Sequence, residues 1–260
     1  MLTTEMLAAQ MLTTQTLTTV TLLPAVAAFG IFVLASTAQA VTGFGSALVA
    51  VPLLALIVDP ATAVVAMTVL SLLLTGVGFV KERGYVDVPA ARLFSLTGLI
   101  GIPLGLLALT ALSTARLTLV IAIVLAVLVV LLAAQVRLPT GSVARWVTGV
   151  TSGALLTSTG MNGPPLVVTM QAMGMPPRTF RATLQAIFLV QDVVGVLGFF
   201  VVGALAPGAL LLAACGILAV PVGWWLGDKV FHGMSPEVFR KVVLAGLAIT
   251  ALVAAVKALA

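Results

Sequence analysis

The stretch "VTSGALLTSTGMNGPPLVV", residues 150–168, interrupts an apolar run with small polar residues, glycines and two adjacent prolines. A second stretch, "AQAVTGFGSALVAVP" at 38–52, repeats the feature in the first half of the chain. Backbone that leaves helical geometry inside a bilayer exposes amides and carbonyls, and each costs several kcal/mol unless it is satisfied. Such breaks therefore persist only where protein buries them or where they line a wet cavity.

The composition is that of a polytopic, all-α membrane protein. Hydrophobic residues make up 62% and charged residues 7% of the 260 residues, and the mean hydropathy is +1.29. A soluble domain carries about 25% charged residues. Several apolar runs reach the length that crosses a bilayer, and they predict about 8–10 transmembrane segments. The net charge of +5 fits cytoplasmic loops rich in Lys and Arg better than a nucleic-acid partner.

Ten apolar segments can be placed, five in each half of the chain. They lie at about 22–40, 44–58, 61–80, 89–111, 114–135, 142–158, 162–175, 178–202, 207–229 and 236–257. The segments 44–58 and 162–175 are too short to span comfortably, and each follows a glycine-rich break. The sequence leaves open whether each short segment crosses the membrane or dips in and returns.

The two sets of segments match each other when the first is shifted by 117 or 118 residues. Thr42–Gly43 falls on Thr159–Gly160, Pro60 on Pro177, Gly78 on Gly195, Pro89 on Pro207, Gly98 on Gly216, Pro103 on Pro221 and Gly105 on Gly223. Ordered Gly and Pro matches are harder to produce by chance than Leu and Val matches. We therefore expect an N-terminal tail at 1–21 and two repeats, at 22–136 and 137–260.

An odd number of segments per repeat predicts that the halves have opposite orientations in the membrane. The charges agree independently, because one orientation places ten of the twelve basic residues inside and leaves only Arg116 and Lys257 outside. The N-terminus then lies outside. Two inverted-topology repeats with short broken or re-entrant helices are therefore the predicted fold.

Matching breaks in inverted halves should approach one another near the midplane, which is where secondary transporters bind substrate. Each break opens a short helix, so that two helix N-termini face a shared site and favour an anion. Ser46 and Asn162 are candidates to cap these helices or to donate. The predicted substrate-binding residues are Thr42, Gly43, Gly45, Ser46, Ser158, Thr159, Gly160, Asn162, Gly163 and Gln185. The alternative reading is that the glycines only allow close helix packing.

Asp192 is the only acid placed well inside an apolar segment. Intramembrane carboxylates commonly mark proton or ion pathways. Asp192 is therefore a candidate for proton coupling, and the alternative is a buried acid hydrogen-bonded to Thr or Gln.

Catalytic, metal and cofactor sites are not expected. The single histidine, His232, lies in a basic loop, so that no Ser–His pair can form inside the bilayer. The single cysteine, Cys215, permits no CxxC spacing and no internal disulfide. A passive anion channel is the nearest rival to a carrier, because paired helix N-termini could also line a pore.

The sequence resembles the sulfite exporter TauE/SafE family of membrane transporters. The likeness rests on "TGFGSALVAVPLLALIVDPATAVVAMTVLSLL", on its echo "TSTGMNGPPLVVTMQAMGMPPRTFRATLQAIFLV", and on the paired "G-x-x-x-x-P-x-G" pieces at 98–105 and 216–223. The resemblance implies a carrier of sulfite, an organosulfonate or another small organic acid in the bacterial inner (plasma) membrane, with the lipid bilayer as its surroundings. It leaves a homodimer open. The first turn has fewer glycines than family members often show, and Asn162 stands where they have a glycine run, so the anion is not selected.

Overall fold

The computed structural model describes residues 25–40, 44–133 and 141–231. Within those ranges the chain is helical and has no β-strand. The helices are α1 (Ala25–Ala40), α2 (Ser46–Leu54), α3 (Pro60–Glu82), α4 (Val88–Ala111), α5 (Thr114–Ala133), α6 (Ser142–Thr159), α7 (Gly163–Ala172), α8 (Pro177–Val201) and α9 (Pro207–Phe231). A 3-10 turn, Arg83–Tyr85, joins α3 to α4.

Local sequence signals fix where the long helices begin. Asp59 caps α3, because its Oδ2 accepts a hydrogen bond of 3.2 Å from the Thr62 amide, and Pro60 follows at the first helical position. Asp87 caps α4 in the same way through the Ala90 amide, at 3.0 Å. An acid at the N-cap satisfies an amide that has no intrahelical partner, and proline there gives up a hydrogen bond that the helix does not make.

Four described helices are long and apolar enough to cross a membrane. They cover Pro60–Tyr85, Val88–Ala111, Arg178–Val201 and Pro207–Gly227. The N-terminal tail and the tenth segment, 236–257, lie outside the described residues. The count of five segments per half therefore stays a prediction.

The two central helices, α3 and α8, run antiparallel to each other. The Arg181 guanidinium lies 3.3 Å from the Glu82 carboxylate at one end of the pair. Further along, the Thr75 hydroxyl lies 3.2 Å from the Asp192 carboxylate. The end of α3 therefore meets the start of α8.

That meeting point marks one end of the molecule, which we call the basic end. Seven of the eight Lys and Arg residues in the described ranges lie on helix ends or turns at this end: Lys81, Arg83, Arg92, Arg145, Arg178, Arg181 and Lys229. Arg116, at the start of α5, lies at the opposite end. The sidedness that the positive-inside rule predicts is therefore present among the described residues.

Glycines bring α4 and α6 into backbone contact. A Cβ atom added to Gly149 would lie 3.3 Å from the Phe94 carbonyl oxygen, and one added to Gly105 would collide with the Ala154 carbonyl. Residues later in α4 contact residues later in α6, so the two helices are parallel. Small residues permit this close approach.

Helices α1 and α9 pack in the same manner. A Cβ atom on Gly216 would lie 3.2 Å from the Phe32 ring, and one on Gly227 would lie 2.6 Å from the Ala40 side chain. These helices are also parallel. Helix α4 thus packs along α6, and α9 packs along α1; α6 and α1 are the helices that precede the two breaks.

The broken segments are hairpins that return to the side from which they enter. Helix α6 begins at the basic end with Arg145, and α8 begins there again, where the Arg178 guanidinium lies 3.7 Å from the centre of the Tyr85 ring. Helix α7 must therefore lead back to the basic end, and its 10 residues span about 15 Å.

The other hairpin, α1 and α2, enters from the opposite end. Helix α3 begins there beside α5, where the Thr114 hydroxyl lies 3.3 Å from the Asp59 carboxylate. Among the described residues, each short helix thus leads back toward the end at which its hairpin begins, as a re-entrant segment would.

Candidate functional site at the two helix breaks

The first break leads into α2 through a left-handed glycine. Gly45 is the N-cap of α2 with φ 101°, a conformation that L side chains rarely adopt. The first hydrogen bond of the helix joins the Val49 amide to the Gly45 carbonyl, at 3.3 Å. The amides of Ser46, Ala47 and Leu48 precede that bond, and so they have no acceptor within the helix. Thr42 and Gly43 lie outside the described residues.

The second break ends α6 and opens α7. Gly160 is the C-cap of α6 with φ 72°, and its amide donates to the Leu156 carbonyl at 2.9 Å. Helix α7 begins at Gly163, and Pro164 and Pro165 follow. Because proline has no amide hydrogen, Gly163 supplies the only N–H group among the first three residues of α7.

The two breaks are in contact. An ideal Cβ atom on Gly163 would lie 3.9 Å from the Cβ of Phe44, and one on Gly160 would lie 2.9 Å from Val51 of α2. A pocket opens between them. Its lining consists of Gln39, Phe44, Gly45, Ser46, Ala47, Leu48, Ser71, Gly160, Met161, Asn162, Gly163, Pro164 and Phe188.

The pocket lies halfway along the central helices. Ser71 is eleven residues from either end of α3, which is about 16 Å at the rise of an α-helix. Half the hydrocarbon thickness of a bilayer is about 15 Å. The breaks therefore meet about half a bilayer's hydrocarbon thickness from either end of α3.

Polar but uncharged groups face apolar ones in the pocket. Gln39, Ser46, Ser71 and Asn162 supply amide and hydroxyl groups, and none of the lining residues is charged. The space open to the centre of a water molecule is about 20 Å³, which is room for about one water. A larger guest requires lining side chains to move.

A buried network holds the second break in place. The Gln191 carbonyl oxygen accepts from the Asn162 amide at 3.0 Å and from the Ser152 hydroxyl at 3.1 Å. The Gln191 side-chain NH2 donates to the Phe94 carbonyl at 3.4 Å. This bond fixes which way the Gln191 side-chain amide is oriented. The Ser152 hydroxyl also lies 3.1 Å from the Asn162 carbonyl oxygen, so that its single hydrogen is shared between two acceptors. Gln191 is fully buried, and it anchors the break from behind.

Asp192, next to Gln191, contacts the other wall of the pocket. One carboxylate oxygen, Oδ2, lies 2.8 Å from the Ser71 hydroxyl and 3.2 Å from the Thr75 hydroxyl. The other, Oδ1, is buried and has no hydrogen-bond partner among the described residues. Asp192 itself is fully buried and does not line the pocket.

The structure brings together five of the predicted binding residues, Gly45, Ser46, Gly160, Asn162 and Gly163. Ser158 and Thr159 do not line the pocket, because their hydroxyls donate to carbonyls one turn earlier in α6, at 2.6 Å and 2.9 Å. Gln185 does not line the pocket and lies nearer the basic end, against Gly78 of α3.

The prediction that Ser46 could cap α2 is wrong, whereas Asn162 is the N-cap residue of α7 but makes no capping bond with its side chain. No side-chain hydrogen bond caps either helix. Gly45 occupies the cap position of α2, and the Asn162 amide is bound to Gln191. The alternative role of both residues as donors in the pocket stays a prediction.

Sequence reasoning did not single out Gln39, Phe44, Ser71 or Phe188, which also line the pocket. One signal was available, because Ser71 and Phe188 are related by the shift of 117 residues that relates the repeats. No group of three or more His, Cys, Asp or Glu residues in the described ranges could hold a metal ion.

The comparison with protein families gives a match along almost the whole chain. Residues 28–254 match the family described as "Sulfite exporter TauE/SafE". No curated protein and no solved structure matches the chain. With its apolar spans, the chain is a multi-pass membrane protein, and it belongs to the sulfite exporter TauE/SafE family of membrane transporters.

Proposed function

We propose that this protein is a secondary transporter, in the direction of export, of a small anion such as sulfite or an organosulfonate. The observation that carries the proposal is the meeting of two hairpins, entering from opposite ends, at a polar and uncharged pocket halfway through the molecule. Broken helices at the interface of inverted repeats are the usual substrate site of secondary transporters.

The local electrostatics favour an anion over a cation. The N-termini of α2 and α7 point positive dipole ends at the pocket. The C-terminus of α6 points a negative end there, where the Leu156 carbonyl accepts from the Gly160 amide. Two positive helix ends therefore face the pocket against one negative end.

An inverted repeat would supply the two states that alternating access needs. Thr75 and Asp192 are related by the 117-residue shift and are hydrogen-bonded to each other, as expected for positions beside a pseudo-two-fold axis. The equivalent helices α3 and α8 are antiparallel, which supports inversion. In this proposal the repeats are 22–136 and 137–260, the basic end is cytoplasmic and the N-terminus is outside, in a bacterial inner membrane.

Proton coupling through Asp192 is part of the proposal. No cation pairs with this acid in the described ranges, where the one ion pair joins Arg181 to Glu82. An unpaired acid inside a bundle is typical of proton relays. Asp192→Asn should retain anion binding but lose the dependence of flux on a pH gradient. Normal flux with an unchanged pH dependence would contradict coupling at Asp192.

The test of the transport proposal is a panel of anions in thermal-shift and proteoliposome flux assays: sulfite, thiosulfate, sulfoacetate, sulfate and short carboxylates. We expect at least one anion to stabilise the purified protein and to give saturable, gradient-driven flux. Ohmic current of many ions per opening would instead identify a passive channel. If no anion of the panel binds to the protein and none is transported, the proposal is overturned.

A further inference from the structure

Among the described residues, Ser71 is the one side chain that both lines the pocket and is hydrogen-bonded to Asp192. A serine hydroxyl has a single hydrogen to donate and lone pairs that accept. Where that hydrogen points therefore decides whether Ser71 attracts or repels an anion in the pocket. Asp192 is the partner that sets this direction.

We propose that the Ser71 hydroxyl is an anion donor that Asp192 switches on by taking up a proton. With Asp192 ionised, the Ser71 hydrogen is directed to Asp192 Oδ2, and Ser71 presents only its oxygen lone pairs to the pocket. When a proton from water binds to Oδ2, the new O–H donates to Ser71 Oγ, and the Ser71 hydrogen is free to turn to the anion. The inference rests on the proposed function, and it makes proton and anion bind together.

Thr75 does not interfere with this exchange. Its hydroxyl lies 2.9 Å from the Ser71 carbonyl in its own helix and 3.2 Å from Asp192. The Thr75 hydrogen can stay on the nearer Ser71 carbonyl, so that the single proton on Asp192 Oδ2 is left to bond to Ser71 Oγ.

Other ionisable groups are remote from Asp192. Helix α8 packs against α3, α4, α6, α7 and the 3-10 turn. The charged or titratable residues on these elements and their caps are Asp59, Lys81, Glu82, Arg83, Tyr85, Asp87, Arg92, Arg145, Arg178 and Arg181. Asp59 lies at the opposite end and the others lie at the basic end. On α3 the nearest, Lys81, is six residues beyond Thr75, or about 9 Å along the helix.

The experiment measures anion affinity and proton uptake on binding in the purified full-length protein. Thiosulfate is the first probe, because it stays ionised between about pH 5.5 and pH 8.5, whereas sulfite titrates in that range; sulfoacetate is the second. In the unchanged protein we expect proton uptake when each anion binds. At pH values where Asp192 is ionised in the anion-free protein, the affinity should fall by about tenfold per pH unit.

Ser71→Ala should lower the affinity by about tenfold to hundredfold, the loss expected for a hydrogen bond to a charged group. It should also flatten the pH dependence. Ser71→Thr keeps the hydroxyl and should restore both. Thr68→Ala is the matched control, because Thr68 likewise has a hydroxyl on α3, is buried and donates to the Val64 carbonyl at 2.9 Å.

The outcomes separate this inference from the proposed function. If Ser71→Ala matches Thr68→Ala in both affinity and pH dependence, the inference is overturned while transport stands. If the unchanged protein binds the anion without proton uptake, the switch is overturned and the carrier stands. If no anion binds, the proposed function itself fails. Should Ser71→Ala not fold, Ser71→Thr decides, because loss of coupling there despite a retained hydroxyl would contradict the switch.

Discussion

The two breaks lie in the same pocket, but they are built differently. The first break presents the amides of Ser46, Ala47 and Leu48 ahead of the first helical hydrogen bond. The second has proline at two of the corresponding places and is held from behind by Gln191. We infer that the first break supplies donors and that the second supplies a rigid wall. An approximate repeat can thus divide one binding task between its halves.

The largest expected effect comes from filling the contact between the breaks. Gly160→Ala places a side chain at φ 72° and 2.9 Å from Val51, so we expect a loss of about 1–2 kcal/mol from the backbone and of a further 1–3 kcal/mol from overpacking. Anion flux should be abolished. Thermal unfolding and proteoliposome flux measure the two effects.

Gly174→Ala is the matched control for that substitution. Gly174 has φ 70°, and an added Cβ would have no neighbour within 4 Å. It should show the backbone cost alone and retain flux. Equal loss of flux in both variants would mean that strain, and not the contact between the breaks, matters for transport.

The next effect comes from releasing the rigid wall. Gln191→Leu removes the acceptor of the buried Asn162 amide, and an unsatisfied buried group costs about 1–3 kcal/mol. The Ser152 hydroxyl keeps the Asn162 carbonyl as its partner. We expect a lower unfolding temperature and weaker thiosulfate binding. Gln171→Leu, on the exposed side of α7, should change neither. Unchanged binding by a folded Gln191→Leu protein would show that Asn162 needs no support.

The smallest expected effect comes from restoring an amide hydrogen that proline removes from the second break. Pro164→Ala gives the first turn of α7 an amide hydrogen, and a donor at a helix N-terminus stabilises an anion by about 0.3–1 kcal/mol. Thiosulfate affinity should rise by about twofold to fivefold. Pro89→Ala, at the second position of α4 outside the pocket, should leave it unchanged. A weaker affinity in Pro164→Ala would indicate that the proline ring, and not a donor, is what the pocket uses.

Much of the fold could be predicted from the sequence, because glycine and proline leave strong local signals. Gly45 and Gly160 mark the left-handed turns, and Pro60 and Pro177 follow the short segments. These residues act through their own backbone geometry, which needs no tertiary information.

The site was harder to predict, because hydroxyl and amide side chains act through where they point. The amino-acid sequence suggests that Ser158 and Thr159 bind substrate, yet their hydroxyls donate to carbonyls of their own helix. Ser71 looks ordinary, yet it lies between the pocket and Asp192. Only the packing of α3 against α8 decides which hydroxyl faces the pocket.

The most direct test of the account links the breaks covalently. Phe44 Cβ and an ideal Cβ on Gly163 are 3.9 Å apart, within the usual range for a disulfide. The double variant Phe44→Cys and Gly163→Cys, made in a Cys215→Ser background, should form this bond on mild oxidation. The bond is detected as two halves that stay joined after cleavage at a protease site engineered near residue 137. We expect oxidation to stop anion flux and reduction to restore it; failure of the halves to join, or full flux through the joined protein, would contradict an anion site between the two breaks.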